Sequence, residues 1–244
     1  MSSERSARES ILVVDGGRIL FVTTVGEVPE HRAMVPLFAA GLDGEYEVTV
    51  GGVERRFRTS IAPADLVRRI NGLGKRMAVM AIDPLLAPAM PANPTLCLES
   101  LDDLVEDFNP AAWVRLCSAI GLGKGDAEHP AELVEAVRLV KQSSEENVPG
   151  KAIASEVGFS LSHLQHLFRI HLGTSMRSYR TWCRFATLAS ATAAGQSLTA
   201  GASSAGFFDS AHLTRSFHRT FGVPPTFVSG DEVKIHVVSA NQEL

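Results

Sequence analysis

The sequence predicts an α+β protein of two domains, with a β-rich front half and an all-helical rear half. In the front half, β-branched runs such as "RILFVTTV" and "EYEVTV" are separated by turn signals such as "DGG" and "LDG". From about residue 96, apolar residues follow the i, i+3, i+4, i+7 spacing of helices. In the rear half, residues 154–173 recur in altered form as residues 202–222, which indicates a duplicated supersecondary unit.

The composition is that of a globular protein and argues against a membrane or secreted protein. The chain has 244 residues, of which 45% are hydrophobic. No run approaches the roughly 18 apolar residues of a membrane span. The N-terminus lacks the apolar segment of a secretion signal, so we expect a cytoplasmic protein. The three cysteines, Cys97, Cys117 and Cys183, show no CxxC spacing and predict reduced thiols rather than a disulfide or zinc site.

Charge is unevenly distributed along the chain. Residues 1–128 carry a net charge of −5 and residues 129–228 carry +3, within an overall charge of −4. Six of the eight histidines also lie in the rear half. This asymmetry suggests two domains with different partners. The positive charge alone is weak evidence for nucleic-acid binding.

The front half reads as a β-sandwich or barrel followed by two helices. Short strands at regular spacing predict the β-structure, and "EYEVTV" alternates polar and apolar residues as a half-buried strand does. Asn109 is a plausible N-cap and Pro110 suits the first position of the second helix. Residues 122–130 form the best linker candidate. The two helices carry apolar stripes made of Leu101, Leu104, Val105 and Phe108, and of Trp113, Leu116, Cys117 and Ile120.

Each copy of the repeat has the composition of a helix-turn-helix. A short helix containing Ala-Ser runs into Gly158 or Gly206, where a left-handed residue ends a helix. Ser160 or Asp209 then supplies the N-cap of a second helix. A helix spanning residues 176–192 joins the copies and could hold two DNA-reading helices about 34 Å apart, which is one turn of DNA. The rear half therefore predicts two units whose second helices enter the major groove.

The outward positions of the second helices are the candidate DNA-binding residues. Gln pairs with adenine, Arg with guanine, and Ser or Thr with bases or phosphates. A solvated helix face would explain a single such pattern, but the duplication favours DNA binding. The candidates are Ser162, Gln165, His166 and Arg169 in the first copy, and Ser210, Thr214, Arg215 and Arg219 in the second.

Residues 133–228 resemble the DNA-binding domain of the AraC/XylS-type transcription regulators. The resemblance is carried by "IASEVGFSLSHLQHLF", "YRTWCRFATLA" and "AGFFDSAHLTRSFHRTFGVPPTF". It implies base reading by Ser162, Gln165 and His166 in the first unit and by Ser210, Thr214 and Arg215 in the second. Two positions depart from the family pattern. Gly201 replaces the usual Ile or Leu, which predicts an unfilled core and a cost of about 1 kcal/mol, and His166 stands where Arg is common.

The front half is similar to the cupin-like β-barrel that precedes this domain in many family members. The resemblance implies a small-molecule effector site, for which His31, Arg58 and Arg69 are the weak candidates. Outward solvated positions explain the arginines more cheaply. The stripe beginning at Leu101 either packs on the barrel or forms a dimer seam, and the resemblance favours the seam. Only His31 lies in the barrel region, so we expect no metal, no cofactor and no enzymatic activity.

The sequence thus predicts five segments and one leading function. The segments are a cupin-like domain (1–94), a helical dimerisation segment (95–121), a linker (122–130), a double helix-turn-helix domain (131–228) and a C-terminal tail (229–244). The predicted function is sequence-specific regulation of transcription through promoter DNA, with a homodimer and RNA polymerase as implied partners, a small-molecule effector, and no membrane. Two alternatives stay open: a cupin-type metalloenzyme with a helical appendage, and a regulator that has lost DNA affinity and acts through protein contacts.

Overall fold

The front half of the chain folds into one mixed β-sheet in the computed structural model, which describes residues 10–86, 94–106, 108–122, 129–228 and 233–238. Seven strands precede the helices and one follows them. They are β1 Ser10–Asp15, β2 Arg18–Arg32, β3 Leu37–Gly41, β4 Tyr46–Val50, β5 Val53–Phe57, β6 Thr59–Ala62, β7 Val67–Ile82 and β8 Val233–Val237.

Two long strands organise the sheet. The main path runs β5-β4-β7-β2-β1-β8, and β3 pairs with both β6 and β7. β2 and β7 pair antiparallel over almost their whole length, with register shifts between Val25 and Glu27 and between Val28 and His31. Such bulges bend a strand and increase its twist. At the far end of this pairing His31 lies opposite Arg68, which brings two polar side chains together inside the domain.

Eight α-helices follow the first seven strands among the described residues, together with two short 3₁₀ helices, Pro84–Leu86 and Pro225–Val228. The α-helices are α1 Pro94–Glu106, α2 Pro110–Ile120, α3 Ala131–Gln142, α4 Gly150–Glu156, α5 Leu161–Leu172, α6 Met176–Ala193, α7 Leu198–Ser204 and α8 Ser210–Phe221. The predicted α+β class with a helical rear half is confirmed. None of the described helices is both long and apolar enough to cross a membrane.

Helices α1 and α2 pack on the sheet as a pair. The Asn109 side chain caps α2 by accepting a hydrogen bond from Ala112 N at 2.9 Å, as predicted. Leu101 and Leu104 are fully buried and share one core with sheet residues such as Phe38. Leu101 and Leu104 are therefore buried inside the monomer and are not available for a dimer seam, whereas dimerisation through the helical segment 95–121 stays a prediction. Apolar packing on the sheet, the other alternative, explains the stripe.

The C-terminal residues return to the front domain. The segment predicted as a tail contains β8, which runs parallel to β1 with Ser10 opposite Val233. The ring of His236 stacks on Phe108 with 4.1 Å between ring centroids. Because β8 follows the helical domain in the chain, its pairing with β1 attaches the C-terminal end of that domain to the sheet.

A polar contact joins the two domains at the end of β7. The carboxylate of Asp83 is 1% exposed and accepts hydrogen bonds from the Tyr179 hydroxyl at 2.9 and 3.0 Å. Lys141 Nζ lies 2.8 Å from the same carboxylate. Tyr179 belongs to α6 and Lys141 to α3, so one buried anion of the front domain holds two helices of the rear domain.

Residues 123–128, which make up most of the predicted linker, lie outside the described residues. The three cysteines, Cys97, Cys117 and Cys183, are buried and free. Burial raises the pKa of all three thiols, to about 11 for Cys97. None of these thiols is therefore poised for reaction near neutral pH.

Candidate nucleic-acid interface

Helices α4 and α5, and again α7 and α8, form two helix-turn-helix units. Gly158 and Gly206 follow the first helix of each unit with φ of +73° and +78°, the left-handed region that favours glycine. The second helices are capped as predicted. Ser160 Oγ accepts from His163 N at 3.2 Å, and Asp209 Oδ1 accepts from His212 N at 2.5 Å.

The two units bury equivalent faces against the connecting helix α6. In the first unit Leu164 and Phe168 are fully buried, and the Phe168 ring meets Tyr179 of α6 edge-on. In the second unit the Phe217 ring packs edge-on against Phe185 of α6. Since one face of each second helix is fixed in this core, the opposite face is held towards solvent.

All eight candidate DNA-binding side chains are exposed. They are Ser162, Gln165, His166 and Arg169 on α5, and Ser210, Thr214, Arg215 and Arg219 on α8. The Thr214 hydroxyl donates to Ser210 O at 2.8 Å, so its oxygen is left to accept from a base or backbone donor. We call α5 and α8 the reader helices from here on.

The two reader helices border one common cleft. Gln165 and Arg169 line it from α5, and Arg219 lines it from α8. The cleft has a volume of about 510 Å³, and helix α6 contributes three arginines that the sequence analysis did not single out: Arg177, Arg180 and Arg184. Their i, i+3, i+7 spacing in "RSYRTWCR" was the signal that could have revealed them.

Gly201 does not leave a hole in the second unit. A Cβ at this position would lie 3.0 Å from Leu188 Cδ1 and 3.3 Å from Ala191 Cβ. Both neighbours belong to α6, which therefore approaches the α7 backbone closely at this point. The expectation of an unfilled core at Gly201 is wrong, because α6 fills the space that a larger residue would take.

A second cavity lies between the two domains, and we call it the interdomain cavity. Its volume is about 140 Å³, and its lining is almost entirely apolar, with contributions from the sheet, from α6 and from α8. The predicted effector candidate His31 lines it. His31 Nδ1 lies 2.8 Å from Pro29 O, and burial lowers the pKa of this imidazole to about 4. The imidazole is therefore neutral near pH 7.

Arg68 is the buried cation of the interdomain cavity. It is 3% exposed, its Nη1 has no hydrogen-bond partner, and burial lowers its pKa to about 10. It also lines a larger cavity inside the front domain, of about 430 Å³, together with Tyr46 and Ser60. The two cavities therefore adjoin at Arg68, whose guanidinium group has an unused hydrogen-bond donor.

The other two effector candidates lie away from the interdomain cavity. Arg69 is on the outward face of β7 and pairs with Glu27 at 3.3 Å. Arg58 donates to Leu42 O at 2.6 Å on the surface. Neighbouring residues of a strand point to opposite faces, so the predicted candidate Arg69 lies one residue away from the inward position at Arg68.

Comparisons with known proteins agree with this architecture. A family model described as a helix-turn-helix domain matches residues 153–229. An apo variant of ToxT from Vibrio cholerae strain SCE256 is 12% identical with a TM-score of 0.60, covering 87% of this chain and 96% of that chain. Wild-type ToxT from the same strain, solved with an unsaturated fatty acid bound, is 10% identical with a TM-score of 0.60, covering 88% and 95%.

A third structure, ToxT from Vibrio cholerae O395 bound to (E)-4-(8-methylnaphthalen-1-yl)but-3-enoic acid, is 12% identical with a TM-score of 0.58, covering 87% of this chain and 98% of that chain. Comparison with curated protein sequences gives no significant match. The predicted resemblance to the AraC/XylS-type regulators is confirmed: residues 153–229 match a helix-turn-helix domain, and the chain as a whole has the two-domain fold of ToxT.

Proposed function

We propose that this protein is a sequence-specific, DNA-binding transcription regulator. The observation that carries the proposal is the pair of helix-turn-helix units whose reader helices both expose polar faces on one cleft. The exposed residues have the chemistry of base recognition, and the N-terminal ends of α5 and α8 offer backbone N–H groups to phosphates. A homodimer and contact with RNA polymerase, which the family resemblance implies, belong to the same proposal, as does the cytoplasmic location expected from the sequence.

A selection of binding sites from random duplex DNA, made with the full purified chain, tests this function. We expect a defined consensus with two sub-sites about one helical turn apart. The affinity should fall steeply as salt rises, because phosphate contacts release counterions. Enrichment of no sequence would favour a regulator that acts through protein contacts. A stoichiometric bound metal in the same preparation would favour the metalloenzyme.

Replacing Arg215 with alanine should relax base preference at one position of the selected site and weaken binding by about 1–3 kcal/mol. Arg215 is exposed in the middle of α8, where a guanidinium can bind guanine bidentately. The measurement is a competition titration against sites substituted at each position. Arg138→Ala on α3 is the control, since Arg138 pairs with Glu135 on the surface of the same domain away from the cleft. Uniform weakening across all sites by Arg215→Ala would show a phosphate contact instead of base reading.

A second part of the proposal concerns the effector. We propose that an apolar carboxylate binds at Arg68, with its tail in the interdomain cavity or in the adjoining cavity of the front domain. An apolar wall with a single unsatisfied cation suits this ligand class. The interdomain cavity, at about 140 Å³, is about as large as the engineered cavity of about 150 Å³ that holds benzene. The unsaturated fatty acid bound in one ToxT structure belongs to this ligand class. A chain too long for the interdomain cavity would have to extend into the larger cavity or part the domains.

Binding at this place would reach the reader helices directly. The interdomain cavity is lined by Phe185 and Leu188 of α6 and by Phe217 and Phe221 of α8. A ligand that binds one arrangement of these helices more tightly than another shifts the population between them. The effector would therefore change the relative position of the reader helices, and with it the affinity for DNA.

Arg68→Met should remove ligand binding while leaving the free protein folded. Methionine fills similar space, and loss of an unpaired buried charge is expected to leave stability unchanged or raise it by about 1 kcal/mol. Carboxylates of increasing chain length are titrated by calorimetry and by the shift in melting temperature. We expect a shift for the parent and none for Arg68→Met, whereas Arg69→Met, on the outward face, should behave as the parent. Equal shifts in all three proteins would contradict the role of Arg68.

A further inference from the structure

The cleft between the reader helices, which we call the arginine cleft, concentrates positive charge in an otherwise acidic protein. Five of the seven arginines between residues 129 and 228 line it, and no Asp or Glu is among the described residues of its lining. The chain as a whole carries a net charge of −4. A positively charged surface on a protein of negative net charge suits a negatively charged partner. The five are Arg169, Arg177, Arg180, Arg184 and Arg219.

Helix α6 supplies the floor of the arginine cleft. Arg177, Arg180 and Arg184 recur at i, i+3 and i+7, which places them along one face over a length of about 10 Å. Ser175 and Met176, at the N-terminal end of the same helix, also line the cleft. The N-terminus of a helix carries partial positive charge and unpaired N–H groups, and both favour an anion.

Hydrogen bonds within the protein satisfy the donor groups of these arginines only in part. Arg184 Nε donates to Ser144 O at 2.8 Å, so this side chain is anchored. Arg180 donates through Nη2 to Val148 O, yet its buried Nε has no partner. The exposed guanidinium groups of Arg169, Arg177 and Arg219 pair with no side chain among the described residues. Burial lowers the pKa of Arg184, and the nearby charge of Arg180 lowers it further. The positive charges of the cleft arginines repel one another, and a bound anion would relieve this repulsion.

We infer that the arginine cleft binds the sugar-phosphate backbone of duplex DNA between the two sub-sites that the reader helices occupy. This inference rests on the proposed function. Two helices in successive major grooves leave an intervening stretch of backbone facing the protein between them. The arginine cleft lies between α5 and α8, so the arginines that reach its surface meet that stretch, while the buried Arg184 adds positive charge beneath them. Contacts of this kind position the protein on the duplex and add affinity without sequence preference.

The test compares the salt dependence of DNA binding for Arg177→Gln, Arg180→Gln and the control Arg138→Gln. Each change removes one positive charge from the same domain, but Arg138 lies on α3 and pairs with Glu135. The slope of log K against log salt should become less negative by about 0.9 for each lost phosphate contact. Arg138→Gln should keep the parental slope. The site preference of the Arg177→Gln protein, selected from random duplexes, should match that of the parent.

The salt slope and the site preference together distinguish backbone binding from base reading and from no DNA binding. A reduced slope with unchanged preference supports backbone binding in the arginine cleft. An unchanged slope for Arg177→Gln and Arg180→Gln, with the parent binding DNA, overturns this inference and leaves the proposed function intact. A changed preference at one base also overturns it, because Arg177 would then read sequence. If the parent binds no duplex even at about 50 mM salt, where phosphate contacts are strong, both the inference and the proposed function are overturned. Melting curves check that both variants are folded. The Arg177 guanidinium makes no hydrogen bond or ion pair within the described residues, so its loss should not affect folding.

Discussion

Replacing Gly206 with alanine should destabilise the protein by about 2–5 kcal/mol. The φ of +78° places Gly206 in the left-handed region, which costs a residue with a side chain about 1–2 kcal/mol. An added Cβ would also lie 2.6 Å from Glu145 Cα and 2.8 Å from Glu145 O. Both atoms belong to the backbone of the loop after α3, so relief requires that the loop move. Such overpacking adds about 1–3 kcal/mol.

The equivalent glycine of the first unit provides a matched control. Gly158 has nearly the same backbone angle, with a φ of +73°, yet an added Cβ there would meet nothing within 4 Å. Gly158→Ala should therefore show only the conformational cost, about 1–2 kcal/mol. Urea unfolding of both variants measures the difference. Equal destabilisation would contradict the close approach between the second unit and the loop at Glu145.

This pair of glycines shows what the sequence could and could not predict. Local chemistry determined the ends of the helices, so Gly158, Gly206, Ser160 and Asp209 were identified correctly from the sequence alone. The predicted connecting helix, residues 176–192, also agrees with the observed Met176–Ala193 to within one residue. The crowding at Gly206 could not be predicted, because it depends on which loop packs there.

The same distinction applies to the apolar and charged side chains. The stripe containing Leu101 was identified as apolar and helical, but its partner was not, since a dimer and a sheet bury such a stripe equally well. Arg68 and Arg69 are adjacent in sequence, and only the register of β7 against β2 decides which one points inward. The arginines of α6 were overlooked because they lie outside the repeated unit, although they share a surface with it.

The tail was the least predictable part. Residues 229–244 carry few signals, and β8 is a short strand on the edge of the sheet. Its pairing with β1 joins residues that are more than 200 positions apart in the chain, so no local pattern indicates it. Together with the Asp83 contact, it holds the DNA-binding domain to the front domain at two separate places. Regulation by a ligand between the domains would act on these attachments.

Asp83→Ala should weaken the attachment of the domains and lower the free energy of unfolding by about 1–4 kcal/mol. The change leaves the Tyr179 hydroxyl buried without its acceptor, which costs about 1–3 kcal/mol. Loss of the ion pair adds about 0–1 kcal/mol, because the Lys141 side chain is 43% exposed and screened by water. Asp83→Asn keeps an oxygen that can accept from Tyr179 and should recover most of the loss. Asp103→Ala is the control, since Asp103 of α1 pairs with Arg115 on the surface of the front domain.

Functional measurements on Asp83→Ala show whether the Asp83 contact only stabilises the fold or also couples ligand binding to DNA binding. If the Asp83 carboxylate couples the domains, thermal unfolding of Asp83→Ala should divide into two transitions, with the front domain and the helical domain melting separately. DNA binding by the helical domain should then lose its response to carboxylate ligands, while Asp103→Ala should retain it. A single transition with an intact ligand response would show that Asp83 contributes stability alone. The interdomain cavity walls, with Phe185 and Phe217, would then suffice to transmit the signal from the ligand to α8.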